Sequence, residues 1–108
     1  MNIPEIDIAR AHSLLTEGSA TFVDVRDSAS YQEAHIPGAL HLDNSTVQSF
    51  LDDTDKDSTV VVYCYHGNAS MGATGFLQEQ GFTSASSMSG GFVAWSDAGL
   101  ESRSGTST

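Results

Sequence analysis

One cysteine, Cys64, closes the strand-like run Thr59 to Tyr63 (TVVVY) and is followed directly by Tyr65, His66, Gly67, Asn68, Ala69 and Ser70. The segment after it, Ser70 to Gln80, spaces Met71, Thr74, Phe76 and Leu77 as an amphipathic helix does. The thiol is therefore expected at a strand-to-helix turn, facing a helix N-terminus. Backbone N–H groups there lack intrahelical partners and the helix dipole is positive, so the thiolate is favoured over the thiol. A free cysteine at a strand end also suits a buried small hydrophobe. What separates the two readings is the composition of the next six residues.

If residues 65–70 curl around the sulfur with their N–H groups inward, they form a concave anion nest. Gly67 supplies the conformational freedom for a tight turn, Asn68 tolerates the left-handed region, and Ser70 or Asn68 can cap the helix that follows. Such a cradle of neutral donors suits a sulfur that carries a terminal anionic atom, as in a persulfide. Activation then comes from the backbone, with no separate general base. Phosphoryl or arsenate chemistry from a similar loop needs a guanidinium to bind two oxygens. The loop has no arginine, and Ser70 stands where a tyrosine-phosphatase loop would need one. His66 is two residues from the sulfur. A loop that turns its N–H groups inward turns its side chains outward, so His66 is expected at the exposed entrance, steering substrate rather than moving a proton. His12, His35 and His41 have no metal-ligand spacing with one another or with Cys64, so no metal and no cofactor are expected.

These residues need a frame that puts Cys64 at a strand end. Strand-like runs at 5–8, 21–25, 40–42, 59–64 and 85–88 alternate with helical stretches at 9–17, 28–34, 46–52, 70–80 and 92–98. Alternation of this kind predicts an α/β fold, a central parallel five-stranded sheet with helices on both faces. Val60 to Val62 is unbroken β-branched sequence, as befits a central strand buried on both sides. Ligand sites in such sheets lie beyond the carboxyl ends of the strands, which is where Cys64 falls. Gly18, Gly81 and Gly90-Gly91 punctuate the helices, and Pro37-Gly38 marks a turn.

The 108 residues fit one domain, expected over 1–100, with 101–108 (ESRSGTST) expected as a mobile tail. Fourteen acidic against four basic residues give a net charge of −10, which argues against nucleic acid and anionic membrane as partners. The acidic stretch 52–57 reads as a solvated turn. A lone cysteine cannot form an internal disulfide, and no apolar window is long enough to cross a bilayer, so a soluble cytoplasmic protein is expected.

Four stretches together resemble the rhodanese (thiosulfate sulfurtransferase) family, most closely its small single-domain GlpE-type members. They are Phe22-Val23-Asp24-Val25-Arg26-Asp27, Ala34-His35-Ile36-Pro37-Gly38-Ala39, Cys64-Tyr65-His66-Gly67-Asn68 and Gly90-Gly91-Phe92-Val93-Ala94-Trp95. The resemblance spans about residues 4–100. It implies a rhodanese-like domain in which Cys64 takes the outer sulfur of thiosulfate, releases sulfite, and passes the persulfide to a thiophilic acceptor: cyanide, a dithiol or a thioredoxin-like protein. It also implies that the backbone N–H groups of Tyr65 through Ser70 hold the persulfide. The six-residue loop, Cys64 to Ala69, is similar to that of rhodaneses, whereas their dual-specificity phosphatase relatives have one residue more. Tyr65 and Ala69 occupy positions where basic side chains can occur in the family, so weak thiosulfate affinity is expected. Asp24, Arg26 and Glu33 are expected as a structural ion-pair group, His35 as support for the Pro37 turn, and Trp95 as packing for the last helix and one wall of the pocket. A non-catalytic rhodanese-like binding module and a protein-to-protein persulfide relay are the alternatives.

Overall fold

In a computed structural model that describes residues 3–105, strands and helices alternate from Glu5 to Asp97. The order is β1 (Glu5–Ile6), α1 (Ile8–Glu17), β2 (Thr21–Asp24), α2 (Ser28–Glu33), β3 (Leu40–His41), α3 (Val47–Asp53), β4 (Thr59–Tyr63), α4 (Ala69–Glu79), β5 (Ser84–Met88) and α5 (Gly91–Asp97). The sheet runs β1-β5-β4-β2-β3, with every pairing parallel, so the expected five-stranded parallel sheet is present. β1 ends earlier than the apolar run suggests. Asp7 leaves the strand to cap α1, its carboxylate accepting from the Arg10 N–H at 2.8 Å, and Ile8 becomes helical.

β4 lies at the centre, and its valines serve both faces. Val61 and Tyr63 join Phe22, Tyr31, Met88, Phe92 and Trp95 in a core under α1, α2 and α5. Val60 and Val62 join Val23, Phe50, Leu77 and Phe82 under α3 and α4. Val60 to Tyr63, four of the five β4 residues, are fully buried, which is why the sequence there is continuous rather than alternating. With both faces of the sheet covered by helices, the strand ends are where it opens to solvent.

The residue before Cys64 anchors a turn far away in sequence. The Tyr63 hydroxyl accepts from the Ile36 N–H at 3.0 Å, and the Tyr31 hydroxyl donates to the Ala39 carbonyl at 2.7 Å, bracketing the Pro37-Gly38 turn. His35 is fully buried, stacked on Tyr31 with ring centroids 4.0 Å apart, and its Nδ1 lies 2.7 Å from the Tyr31 carbonyl. Its backbone pairs with Arg103 in an antiparallel bridge. The segment after residue 100, with no apolar periodicity, is thus bonded to the domain through backbone groups: Gly105 donates to the Gln32 carbonyl, and the Glu101 carbonyl accepts from the Trp95 indole at 2.9 Å. Residues 1–2 of the expected domain and 106–108 of the expected tail lie outside the described residues. Asp52, Asp53, Asp55 and Asp57 are exposed around the end of α3. Among the described residues, no helix is long and apolar enough to cross a membrane.

Candidate active site

Cys64 is the first residue beyond β4, and its backbone is held from the opposite side by the start of α5. The Phe92 N–H donates to the Cys64 carbonyl at 2.7 Å, and the Val93 N–H donates to the Tyr65 carbonyl at 3.0 Å. This approach requires glycine at 91. Its φ is +61°, and a Cβ there would fall 2.3 Å from the Tyr65 carbonyl oxygen. The Gly90-Gly91 pair therefore does more than start a helix, since it lets one backbone dock on another at the sulfur-bearing turn.

The loop after Cys64 wraps the sulfur as a nest would. The N–H groups of Gly67 and Ser70 each donate to Sγ at 3.2 Å, and the Ser70 hydroxyl lies 3.3 Å from it. Gly67 has φ +96°, and a Cβ there would press on the Gly90 nitrogen at 3.1 Å. Helix α4 begins at Ala69, so its first N–H groups and positive dipole end also face the sulfur. Burial pushes the Cys64 thiol up, but the Ser70 hydroxyl and the N–H groups of Ser70, Gly67 and His66 outweigh it and hold the thiol below its ordinary value. Two local expectations need correction. Asn68 is right-handed, at φ −89° and ψ −54°, and caps nothing with its side chain. Ser70 caps nothing either, because its hydroxyl is turned toward Cys64 and the Ser87 hydroxyl.

Outside the sulfur lies an open cleft of about 280 Å³ lined by Cys64, Tyr65, His66, Asn68 and Ala69 from the loop and by Val25, Arg26 and Asp27 from the end of β2. Gly67 and Ser70 reach the sulfur through their N–H groups and do not line the cleft wall. His66, Asn68 and Ala69 are exposed, and His66 occupies the entrance position expected of it. Tyr65 spans the cleft, its hydroxyl donating to the Ser30 hydroxyl at 2.8 Å, and Ser30 donates in turn to Asp27 at 2.6 Å. That hydroxyl bond, set against a small burial penalty, lowers the Asp27 pKa, so a carboxylate faces the opening.

Arg26 is the one arginine at the cleft, and it is committed elsewhere. Its Nε lies 3.1 Å from both Asp24 oxygens, and its Nη2 reaches Asp24 at 2.7 Å and the Ala34 carbonyl at 2.5 Å. Its guanidinium carbon sits 4.3 Å from the Phe92 ring centroid and 4.9 Å from that of Tyr65. Burial opposes its charge, yet Asp24 more than compensates and holds its pKa above the usual value. The expected ion pair is thus Asp24 with Arg26, while Glu33 lies exposed with no part in it. Trp95 is fully buried against Phe22 and His12 and does not line the cleft. Among the described residues, no three of His, Cys, Asp and Glu group as metal ligands do.

Sequence reasoning passed over Ser87, the clamp by Phe92 and the cleft wall of Val25, Arg26 and Asp27. A signal existed for each: a serine beside buried Met88 in a strand, a glycine pair just ahead of a helix, and charged residues at the end of an apolar run.

A family model for the rhodanese-like domain matches residues 7–98. Among solved structures, the chain is similar to the rhodanese-like domain of an Anabaena protein, at 28% identity and a TM-score of 0.84, covering 96% of this chain and 80% of that one. It is also similar to a thiosulfate sulfurtransferase from Pseudomonas aeruginosa, at 26% identity and a TM-score of 0.87, covering 98% of this chain and 20% of that much longer one. A Rhodopseudomonas palustris protein described as a possible tyrosine phosphatase matches at 27% identity and a TM-score of 0.80, covering 94% of this chain and 85% of that one. The match over nearly the full length, on a parallel sheet that ends in a cysteine nest, makes this chain a member of the rhodanese-like domain family.

Proposed function

We propose that the protein is a thiosulfate sulfurtransferase with Cys64 as its nucleophile and sulfur carrier. The observation that supports this reading best is the set of groups on Sγ: two backbone N–H donors at 3.2 Å and the Ser70 hydroxyl at 3.3 Å, all neutral, with no guanidinium among them. The Cys64 thiolate attacks the outer sulfur of thiosulfate. A new S–S bond forms at Sγ, the S–S bond of thiosulfate breaks, and sulfite leaves with the electron pair. The enzyme is left as Cys64–S–S⁻. The anionic charge has then moved one atom outward, into the nest formed by the N–H groups of Tyr65, His66, Gly67, Asn68, Ala69 and Ser70. A thiophilic acceptor next attacks the terminal sulfur: cyanide, a dithiol or the thiol of a thioredoxin-like protein. The Cys64 thiolate departs and the cycle closes.

Phosphoryl transfer is the chemistry that the same fold could host, and the donor set speaks against it. A phosphoryl group carries charge on three oxygens and calls for a guanidinium held over the nucleophile. Arg26 has its Nε and Nη2 on Asp24 and Ala34. A binding module without chemistry, for its part, has no use for two backbone N–H groups and a hydroxyl gathered on one sulfur. A free Cys64 thiol is kept available where disulfides do not form, so we assign the reaction to the cytoplasm.

Intact mass measurement tests the proposal. Incubation with thiosulfate should add one sulfur atom to the wild-type protein, cyanide should remove it, and Cys64→Ser should gain nothing. An unchanged wild-type mass over a wide range of thiosulfate concentrations would overturn it.

A further inference from the structure

Ser87 is a buried hydroxyl in the parallel sheet, bonded to α4, the helix that also buries Ser70 and Thr74. It lies in β5 between β1 and β4, paired with Glu5 and Val62, and its N–H donates to the Pro4 carbonyl at 2.9 Å. Its neighbour Met88 and the facing valines of β4 are buried and apolar. A hydroxyl in such a place costs stability unless it is bonded, and its bond is to Ser70, with the two Oγ atoms 2.7 Å apart. Ser70 is itself fully buried, and its Oγ lies 3.3 Å from the Cys64 sulfur. Two hydroxyls thus run in a line from the centre of the sheet to the sulfur.

We propose that Ser87 is a positioning residue for Cys64, its hydroxyl donating to the Ser70 oxygen so that the single Ser70 proton is directed at the sulfur. Each hydroxyl has one proton to give. If Ser70 gives its proton to Ser87, nothing from that side chain remains for the sulfur, and the Ser87 proton has no other acceptor among the described residues. If Ser87 donates to Ser70, the Ser70 proton points at Sγ and both protons are used. The second arrangement is complete only when the sulfur accepts, which is what a thiolate does and a donating thiol does not. Each bond in such a line also polarises the next, so the outer hydroxyl strengthens the inner donor. Because the Ser87 backbone is fixed by strands on both sides, its hydroxyl is held in place at little further entropic cost.

The rate of Cys64 alkylation by iodoacetamide, followed by mass across pH, reads the thiol directly. In Ser87→Ala the midpoint of the profile should move to higher pH and the rate near neutrality should fall about three- to tenfold, the worth of one hydrogen bond. The plateau at alkaline pH should stay where it is. Ser87→Thr keeps the hydroxyl and should stay near the wild-type profile. In a Ser70→Ala background, adding Ser87→Ala should shift nothing further, since the line is already cut. The charged and titratable groups around the cleft, Arg26, Asp27, Tyr65 and His66, are the same in every variant, so they cannot produce the difference. An unmoved midpoint in Ser87→Ala, or a second full shift in the Ser70→Ala background, would overturn the inference. Alkylation does not depend on thiosulfate, so a failure here is distinct from a failure of the proposed sulfur transfer.

Discussion

The backbone N–H of Phe92 meets the Cys64 carbonyl at 2.7 Å, so the first turn of α5 holds the residue that β4 delivers. Strand and helix are separated by almost thirty residues in sequence, yet they fix the same peptide. The contact is available only because Gly91 presents no side chain to the Tyr65 carbonyl.

Gly91→Ala should therefore act on both the fold and the thiol. A Cβ at 2.3 Å from the Tyr65 oxygen cannot be relieved by a flexible side chain, since backbone stands on both sides, and φ +61° adds strain of its own. A loss of about 2–4 kcal/mol in urea unfolding is expected, together with slower Cys64 alkylation at neutral pH. Wild-type stability in this variant would show that the clamp is dispensable.

The buried pair of Asp24 and Arg26 leads to a second expectation. Asp24→Ala leaves a guanidinium at the cleft wall without its counter-charge, which should cost about 3–5 kcal/mol in denaturant unfolding. Replacing both residues together, as Asp24→Leu with Arg26→Met, should recover much of that loss. If the single and double variants are equally unstable, the charge pairing is not what Asp24 supplies.

Much of this organisation is legible in the sequence, for physical reasons that differ by element. The unbroken valines of β4 announce a strand buried on both faces, and the Cys64 loop ahead of an amphipathic helix announces a nest. Other features are hidden because they are contacts between distant segments. Nothing local to Ser87 says that it meets Ser70, and nothing local to Trp95 says that it turns into the core, bonding Glu101 rather than walling the cleft. Asn68 was legible in type but not in conformation. Gly67 takes the one positive φ of the loop, which frees Asn68 to stay right-handed.

The lowered Cys64 pKa makes a prediction about stability as well as reactivity. The folded protein releases the thiol proton at a lower pH than the unfolded chain, whose thiol titrates at about 8.5. Between those two values the unfolded chain binds more protons, so this contribution to stability grows as pH rises. It is fully present above the unfolded value and is lost as pH falls through the folded one. The stability of the wild type relative to Cys64→Ala should therefore increase from weakly acid to alkaline pH, measured by urea unfolding. Packing lost with the sulfur is the same at every pH, so a flat difference would mean that the nest does not favour the thiolate.

Charge at the cleft mouth sets the last expectation. The chain carries a net charge of −10, Asp27 faces the opening, and the Arg26 guanidinium beside it is paired with Asp24. A doubly charged donor such as thiosulfate must then approach against the long-range field and rely on short-range N–H donors. Ala69 lies exposed on the loop, in the first turn of α4, where a long basic side chain can reach the opening without entering the core. In the proposed reaction, Ala69→Lys should lower the KM for thiosulfate about two- to fivefold at low ionic strength, as expected for one charge near the path. Salt should erase the gain as the screening length shrinks to about 8–10 Å and below. The kcat should change little, because a charge at the mouth acts on the approach and not on the sulfur already in the nest. A KM that stays fixed at low salt would mean that the anion reaches Cys64 by a route on which position 69 is not felt.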